Sequence, residues 1–123
     1  MQSVMTHLAP AAIGPYSQAI LKNNTLFISG QMGIDPNSGV MPEGFEAQTN
    51  MVFSNIKAIL QAANMGTSHV VKVTVFLKDM NDFAQLNEIY SRNFSTPYPA
   101  REAIQVARLP KDALIEISVI AMR

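Results

Sequence analysis

Ala100-Arg-Glu-Ala-Ile-Gln-Val-Ala107 and Leu114-Ile-Glu-Ile-Ser-Val-Ile-Ala121 are the two stretches of this chain that decide its fold. Both have the composition of strands, in which successive side chains point to opposite faces of a sheet. The first contains Arg101 and the second contains Glu116. If each strand turns its more apolar face to the core, both charges emerge on the opposite face, where a guanidinium and a carboxylate require a partner or a function.

A hairpin is predicted closer to the N-terminus. Ser17–Leu21 and Thr25–Ser29 flank Lys22-Asn-Asn24, where asparagine tolerates the left-handed backbone of a tight turn. The glycines of Gly30-Gln-Met-Gly33 are expected to break the second of these strands. Residues 1–16 are expected to be irregular and to end in a turn.

One further strand and two helices complete the predicted elements. Val70–Leu77 is the clearest strand, with Val71, Val73, Val75 and Leu77 expected on one face. From about Glu46 to Asn64 the apolar residues follow one helical stripe, and a second helix is predicted from about Asp82 to Phe94. The order β-β-α-β-α-β-β is typical of an α+β fold in which both helices cover one face of a mixed sheet.

The face of the sheet without helices is expected to mix polar and apolar side chains. Its predicted members are Lys72, Thr74, Phe76, Arg101, Gln105, Glu116 and Ser118. This set is too apolar for open solvent and too polar for the core of a monomer. An interface between subunits that holds an active site would account for both properties.

Composition sets the outer limits of the prediction. The 123 residues predict a single domain, 1–123, with nine Lys+Arg balancing nine Asp+Glu. This neutrality predicts no nucleic-acid or membrane partner, and no signal or membrane-length segment is recognised, so a cytoplasmic location is expected. There is no cysteine, and His7 and His69 lie far apart, so no metal site is predicted.

Four positions have side chains or backbone suited to chemistry. Arg101 offers a planar fork of donors that matches a carboxylate, and Glu116 could deprotonate or orient a water. A structural ion pair between these two residues is an equally good interpretation of the pattern. Gly30 would leave backbone amides open to a ligand, although an ordinary bulge explains it as well. Tyr16 places an aromatic hydroxyl on a rigid turn, where most tyrosines only pack.

Several motifs together resemble the Rid (YjgF-type) family of reactive-intermediate deaminases. They are Gly14-Pro-Tyr-Ser17, Phe27-Ile-Ser-Gly-Gln31, Val73-Thr-Val-Phe-Leu-Lys-Asp79, Pro99-Ala-Arg101, Val106-Ala-Arg-Leu-Pro110 and Ile115-Glu-Ile117. The resemblance implies a chorismate-mutase-like α+β fold, with a mixed six-stranded sheet and two helices on one face, assembled as a homotrimer with sites between subunits. It also implies hydrolysis of 2-imino acids to 2-keto acids and ammonia, with no metal or cofactor.

The same resemblance assigns roles to individual residues. Arg101 corresponds to the arginine that clamps the substrate carboxylate, and Glu116 to the glutamate that orients the attacking water. The substrate-binding positions are Tyr16, Ser29, Gly30, Asn87 and Ala103. Ala103 stands where many members of the family carry a cysteine, which excludes thiol chemistry in this chain. Glu102 should point away from Arg101 by strand alternation.

Three other functions are compatible with parts of the pattern. A trimeric module that binds a keto or amino acid without turnover would need Arg101 but no role for Glu116. An RNA-directed endoribonuclease is disfavoured by the zero net charge. A chaperone-like or purely structural role would require apolar surface that trimer formation would bury.

Overall fold

The computed structural model describes residues 1–123 as one α+β unit built on a six-stranded mixed sheet. The strands are β1 (Gln2–Val4), β2 (Ala19–Lys22), β3 (Thr25–Met32), β4 (Val70–Leu77), β5 (Ala100–Gln105) and β6 (Ile115–Met122). The helices are α1 (Phe45–Ala62) and α2 (Phe83–Asn93), with short 3-10 helices at Thr67–His69, Met80–Asp82 and Pro110–Asp112. The mixed six-stranded sheet and the two helices confirm the predicted fold class.

The strand order across the sheet is β1-β2-β3-β6-β4-β5. Neighbouring strands are antiparallel except for β4 and β5, which run parallel and are joined through α2. This connection makes β5 an edge strand and places α2 beside it. No helix in the structure is both long enough and apolar enough to cross a lipid bilayer.

The core lies between the two helices and one face of the sheet. Its fully buried side chains include Val52, Ile56, Ile59, Leu60, Val73, Val75, Leu77, Leu86, Ile115 and Ile117. Helix α1 ends at Ala62, two residues before the predicted Asn64, because Asn64 adopts a left-handed φ of 58° and stops the helix without a glycine. The Asn-Asn hairpin is also confirmed, since Asn23 and Asn24 have φ values of 50° and 62°.

Several local predictions are corrected by backbone pairing. Gln2–Val4 is not irregular but forms β1, which pairs with β2. Gly30 does not break its strand, because β3 continues to Met32 with an extra residue accommodated between Ile28 and Gln31. A second register shift between Val70 and Lys72 buries Val70 and leaves Val71 exposed. Each shift changes which residues face the core.

The largest correction concerns the face that Arg101 occupies. In the register of β4 and β5, Arg101 lies beside the fully buried Val73, and Gln105 lies beside Leu77. Arg101 and Gln105 are therefore on the helix-covered side, at the edge of the sheet. Ile104, expected in the core, is instead on the open face and is 47% exposed. Strand β5 thus turns its most apolar side chain, that of Ile104, away from the helices.

The open face of the sheet carries a band of large apolar side chains. No helix of this chain covers it, and cross-strand pairing groups Phe27 with Ile120 and Ile20, and Phe76 with Ile104 and Glu116. Phe27 and Ile104 are both about half exposed, at 48% and 47%. Lys72 and Glu102 form an ion pair of 2.6 Å on the same face, so Glu102 points away from Arg101 as alternation predicts.

Candidate active site

The predicted site residues fall into two separate clefts on opposite sides of the sheet. The Arg101 cleft has a volume of about 360 Å³ and is lined by Asn87, Tyr90, Ser91, Tyr98, Pro99 and Arg101. The Glu116 cleft, of about 600 Å³, includes Tyr16, Ser29, Gly30 and Glu116 in its lining. Ala103 lines neither cleft; it lies on the Arg101 side of β5, packed against the core.

Arg101 is an unneutralised cation at the edge of the sheet. Its Nη1 donates a 2.9 Å hydrogen bond to Asn87 Oδ1, and no carboxylate lies within ion-pair distance of it. The guanidinium carbon lies 4.7 Å from the centre of the Tyr90 ring and 5.5 Å from that of Phe83. The expected ion pair with Glu116 is absent, because the two side chains leave opposite faces of the sheet. An anion is the ligand that this cleft suits.

Glu116 sits in the middle of the sheet, on the open face. It pairs across β6 with Phe76 on one side and Met32 on the other, so its neighbours are apolar. Burial raises the pKa of its carboxyl above the ordinary value, and no hydrogen bond or cation within the chain offsets this effect. A carboxylate whose pKa is raised is a stronger base than an ordinary one and is suited to accept a proton from water.

The bulge in β3 allows the backbone to approach this carboxylate closely. A Cβ placed on Gly30 would lie 2.9 Å from Glu116 Cδ and 3.2 Å from Cγ, so only glycine leaves the carboxylate where it is. Next to it, the Ser29 hydroxyl donates a 2.7 Å hydrogen bond to the Ser17 carbonyl, and the Ser29 amide donates to Gln18 O at 2.9 Å. Ser29 is therefore held by the β2 side of the sheet, and Gly30 contacts the acid.

The rim of the Glu116 cleft is formed by residues 10–13 and Tyr16, which belong to the segment of residues 6–16. Tyr16 stands on this rim with 54% of its surface exposed, after a turn in which Gly14 has a φ of 123°. The buried Gln18 side chain ties the segment to the sheet. Its Nε2 donates to the carbonyls of Thr6, Ala9 and Pro10, and its Oε1 accepts from the Thr6 amide. One side chain thus fixes the position of the rim.

Sequence reasoning missed two groups of residues at these clefts. The sequence predicts Phe83 and Tyr90 only as members of the second helix, yet with Asn87 they follow the i, i+4, i+7 spacing that puts three side chains on one helical face. That spacing was the available signal. Lys111 lines the Glu116 cleft from a left-handed backbone, with a φ of 55°, and nothing in its Leu-Pro-Lys-Asp setting distinguishes it from an ordinary turn.

Each chain has two clefts of opposite charge on opposite sides of the sheet, which we call the Arg101 half-site and the Glu116 half-site. The Arg101 half can bind an anion, and the Glu116 half can accept a proton from water. No group of three or more His, Cys, Asp or Glu side chains is arranged to hold a metal ion. A site with both functions therefore needs either two copies of the chain or a ligand large enough to reach around the edge of the sheet.

The fold and these half-sites define a small α+β protein of the endoribonuclease L-PSP class. The chain belongs to this family, also known as the Rid (YjgF-type) family, whose model matches residues 6–123. The family resemblance predicted from the sequence motifs is thereby confirmed.

Some relatives of the chain are named for an activity and others only for the family. A RutC family protein of Pyrococcus horikoshii is 54% identical over 121 residues, which cover 98% of this chain and 96% of its own. A 2-iminobutanoate/2-iminopropanoate deaminase of Bos taurus is 48% identical over 121 residues, covering 98% and 88%. The crystal structure of RidA from an Antarctic Psychrobacter species has a TM-score of 0.97 at 51% identity, with 100% of both chains covered. That of Escherichia coli TdcF with bound serine has a TM-score of 0.95 at 41% identity, covering 100% and 99%.

Proposed function

We propose that this protein is a cofactor-independent deaminase that hydrolyses reactive 2-imino acids to 2-keto acids and ammonia. Its site would lie between two copies of the chain in a homotrimer, with the Arg101 half from one subunit and the Glu116 half from the next. The observation that carries the proposal is the separation of Arg101 and Glu116 onto opposite sides of the sheet, each without a charged partner in its own chain.

The open face of the sheet supports an assembly of subunits. It exposes Phe27 and Ile104 in a band of apolar side chains that monomers seldom leave in water. Packing this face against a second copy would bury the band. It would also bring a foreign surface up to Glu116, which shares the face with Phe76 and Met32.

Each half-site supplies one requirement of imine hydrolysis. Arg101 would hold the substrate carboxylate through its free N–H donors, because only one donor is used by Asn87. Glu116 would accept a proton from a water whose oxygen adds to the carbon of the protonated imine, giving a neutral carbinolamine beside a protonated Glu116. Glu116 would then return this proton to the amino nitrogen, and the C–N bond breaks as the hydroxyl oxygen forms the carbonyl and gives its own proton to Glu116 or to water, so that ammonia leaves. Orientation and charge pairing are sufficient to accelerate a reaction that already proceeds in water.

The relatives support this choice of substrate. The Bos taurus relative is named for the deamination of 2-iminobutanoate and 2-iminopropanoate, and TdcF was crystallised with serine. These molecules share a carboxylate next to a carbon that bears nitrogen, which is the arrangement that Arg101 and Glu116 would read. The imines are the tautomers of enamines released by dehydratases acting on serine or threonine.

The first test is keto-acid formation from 2-aminoacrylate and 2-iminobutanoate generated in situ from serine and threonine. A dehydratase alone gives the spontaneous rate. Acceleration by the wild type that is abolished by Arg101→Ala and by Glu116→Ala supports the deaminase. Arg101→Lys should also lose most activity, because an ammonium cannot make the paired hydrogen bonds of a guanidinium. Acceleration that survives both alanine substitutions would refute the assignment of the site.

The second test mixes two inactive variants. If each site takes Arg101 from one subunit and Glu116 from another, co-expressed Arg101→Ala and Glu116→Ala chains regain about one intact site in four by random pairing of the halves. If both residues act within one chain, the mixture stays inactive. Co-expression of Arg101→Ala with the Arg101→Ala, Glu116→Ala double variant is the matched control, since it contains no intact arginine half.

A binding module without turnover is the second candidate function. The bound serine of TdcF favours it, because an amino acid can occupy a related site unchanged. This function needs the Arg101 half alone. Tight binding of 2-oxobutanoate that Arg101→Ala removes and Glu116→Ala leaves intact, with no acceleration of imine hydrolysis, would establish it in place of the enzyme.

A further inference from the structure

We propose that Tyr90 and Phe83 are positioning residues that hold the Arg101 guanidinium in its carboxylate-binding orientation through their aromatic faces. The inference rests on the proposed function only for the identity of the ligand, a substrate carboxylate, that Arg101 binds. The positioning itself depends on contacts within one chain and can be tested without turnover.

Three side chains on one face of α2 contact Arg101. Phe83, Asn87 and Tyr90 lie at i, i+4 and i+7 on this helix and therefore project from the same side. The guanidinium carbon is 4.7 Å from the Tyr90 ring centre and 5.5 Å from the Phe83 ring centre, both inside the range of a cation–π contact. Asn87 Oδ1 adds a 2.9 Å hydrogen bond to Nη1. The arginine is thus held by three side chains from a single helix.

Tyr90 is itself fixed by the core. Only 6% of its surface is exposed. Its ring meets Phe53 edge-on, with centres 6.1 Å apart, and lies 4.7 Å from Phe94. A ring packed on two sides cannot turn away from the guanidinium without disturbing the core. The buried aromatic rings therefore fix the orientation of the Arg101 guanidinium, which the flexible arginine side chain alone would not do.

Aromatic support is chemically suited to an anion-binding arginine. A carboxylate in this position would hold the guanidinium as firmly, but it would neutralise the charge and occupy the N–H donors that a substrate needs. The π face attracts the cation and leaves those donors free. The Tyr90 hydroxyl is not required for this role, since it is buried without any hydrogen-bond partner. Phenylalanine should therefore replace Tyr90, whereas an aliphatic side chain should not.

The experiment compares Tyr90→Phe, Tyr90→Leu and Phe83→Leu in the full-length protein, with 2-oxobutanoate as the probe in calorimetry. We expect Tyr90→Leu to weaken binding by about 5- to 30-fold and Phe83→Leu by less, because its ring is farther away. Tyr90→Phe should bind 2-oxobutanoate with an affinity within about twofold of the wild type. Leu26→Val, a fully buried change on a strand that pairs with β2 and β6, controls for lost stability and should leave the affinity unchanged.

A double-mutant cycle separates positioning from general damage. If Tyr90 acts through Arg101, Tyr90→Leu should have no further effect on 2-oxobutanoate binding in an Arg101→Ala background. In steady-state kinetics, Tyr90→Leu should raise KM by the same factor as the dissociation constant and change kcat by less than about threefold. A loss of binding that persists in the Arg101→Ala background would overturn the inference, as would wild-type affinity in Tyr90→Leu.

Nuclear magnetic resonance tests the contact without any ligand. The side-chain N–H signals of Arg101 should be shifted by the Tyr90 ring current in the wild type and in Tyr90→Phe, and should return to ordinary values in Tyr90→Leu. If this pattern is found but no variant, including the wild type, accelerates imine hydrolysis, the deaminase proposal fails and the positioning stands. If turnover is found but the signals are unshifted in the wild type, the positioning is wrong and the deaminase stands.

Discussion

Gly30→Ala offers the most direct test of the Glu116 half-site, because it adds one methyl group against the carboxylate. The new Cβ would lie 2.9 Å from Glu116 Cδ, whereas carbon atoms in favourable contact are at least about 3.5 Å apart. The carboxyl group must therefore withdraw by roughly 0.6 Å or more. Misplacement of a catalytic group by about 1 Å can reduce a rate by about 100-fold, which corresponds to about 2.7 kcal/mol in the activation free energy.

The fold should tolerate this change. Gly30 is not among the residues with a left-handed backbone, and the atoms in the way belong to the end of a flexible side chain. The thermal midpoint of Gly30→Ala should accordingly stay within a few degrees of the wild type, while kcat for imine hydrolysis falls by about 100-fold. Binding of 2-oxobutanoate should change by less than about threefold, because Arg101 belongs to the other cleft.

Gly66→Ala is the matched control. The backbone at Gly66 is extended, with a φ of −133°, and no atom lies within 4 Å of a Cβ placed there. This variant should retain wild-type stability and activity. Gly30→Ala with more than half of the wild-type kcat would refute the assignment of Glu116 to the reaction, and an equal loss in both variants would point to a general sensitivity of the fold.

Four further predictions concern charge and assembly. Burial raises the pKa of Glu116 in the folded chain, so ionised Glu116 lowers the free energy of unfolding at pH values above that pKa. This loss of stability disappears below the pKa of an ordinary carboxyl group. Glu116→Gln should therefore raise the thermal midpoint at pH 7, and the difference from the wild type should vanish in acid. Wild-type kcat should fall as the pH drops through the raised pKa, which a pH–rate profile measures. Asn87→Asp should weaken 2-oxobutanoate binding by more than about tenfold in calorimetry, because a carboxylate would then neutralise Arg101, whereas Asn87→Ala should cost less. Phe27→Asp on the open sheet face should give a species of lower mass than the wild type in light scattering, and this species should be inactive. Gln61→Asp, at an exposed position on α1, is the control and should have the same mass as the wild type.

Local sequence signals predicted the local structure well. The Asn-Asn turn, the stripe of α1 and the strand Val70–Leu77 each depend on residues close together in the chain, and all three are present. The register shifts at Val71 and between Ile28 and Gln31 could not be found in this way, since they are set by pairing with β6, which lies far away in sequence. The three-residue strand β1 likewise exists only because β2 offers it a partner.

The layout of Arg101 and Glu116 differs from the one that the sequence predicted. The expectation that Arg101 and Glu116 share a face assumed that every strand turns its apolar side to the helices. That assumption fails for β5, where Ile104 and Arg101 exchange places. The strand lies at an edge, so α2 can receive the arginine on aromatic rings, and the open face can hold an isoleucine beside Phe76. Alternation alone contains no information about which partner each face will meet.

The single amide of Gln18 has a consequence for how the substrate range of the proposed deaminase can change. Residues 10–13 and Tyr16 form one wall of the Glu116 cleft, and the Gln18 side chain makes four hydrogen bonds to the segment 6–16 that contains them. The proposed catalytic residues Arg101 and Glu116 and the rim of the cleft are therefore on separate parts of the chain. Residues 11–13 can be exchanged as a unit, with longer, shorter or more polar replacements, while Gln18 holds the chain that precedes them through Thr6, Ala9 and Pro10. Directed evolution for a new substrate should find its useful changes in this replaceable wall before it finds any in the sheet.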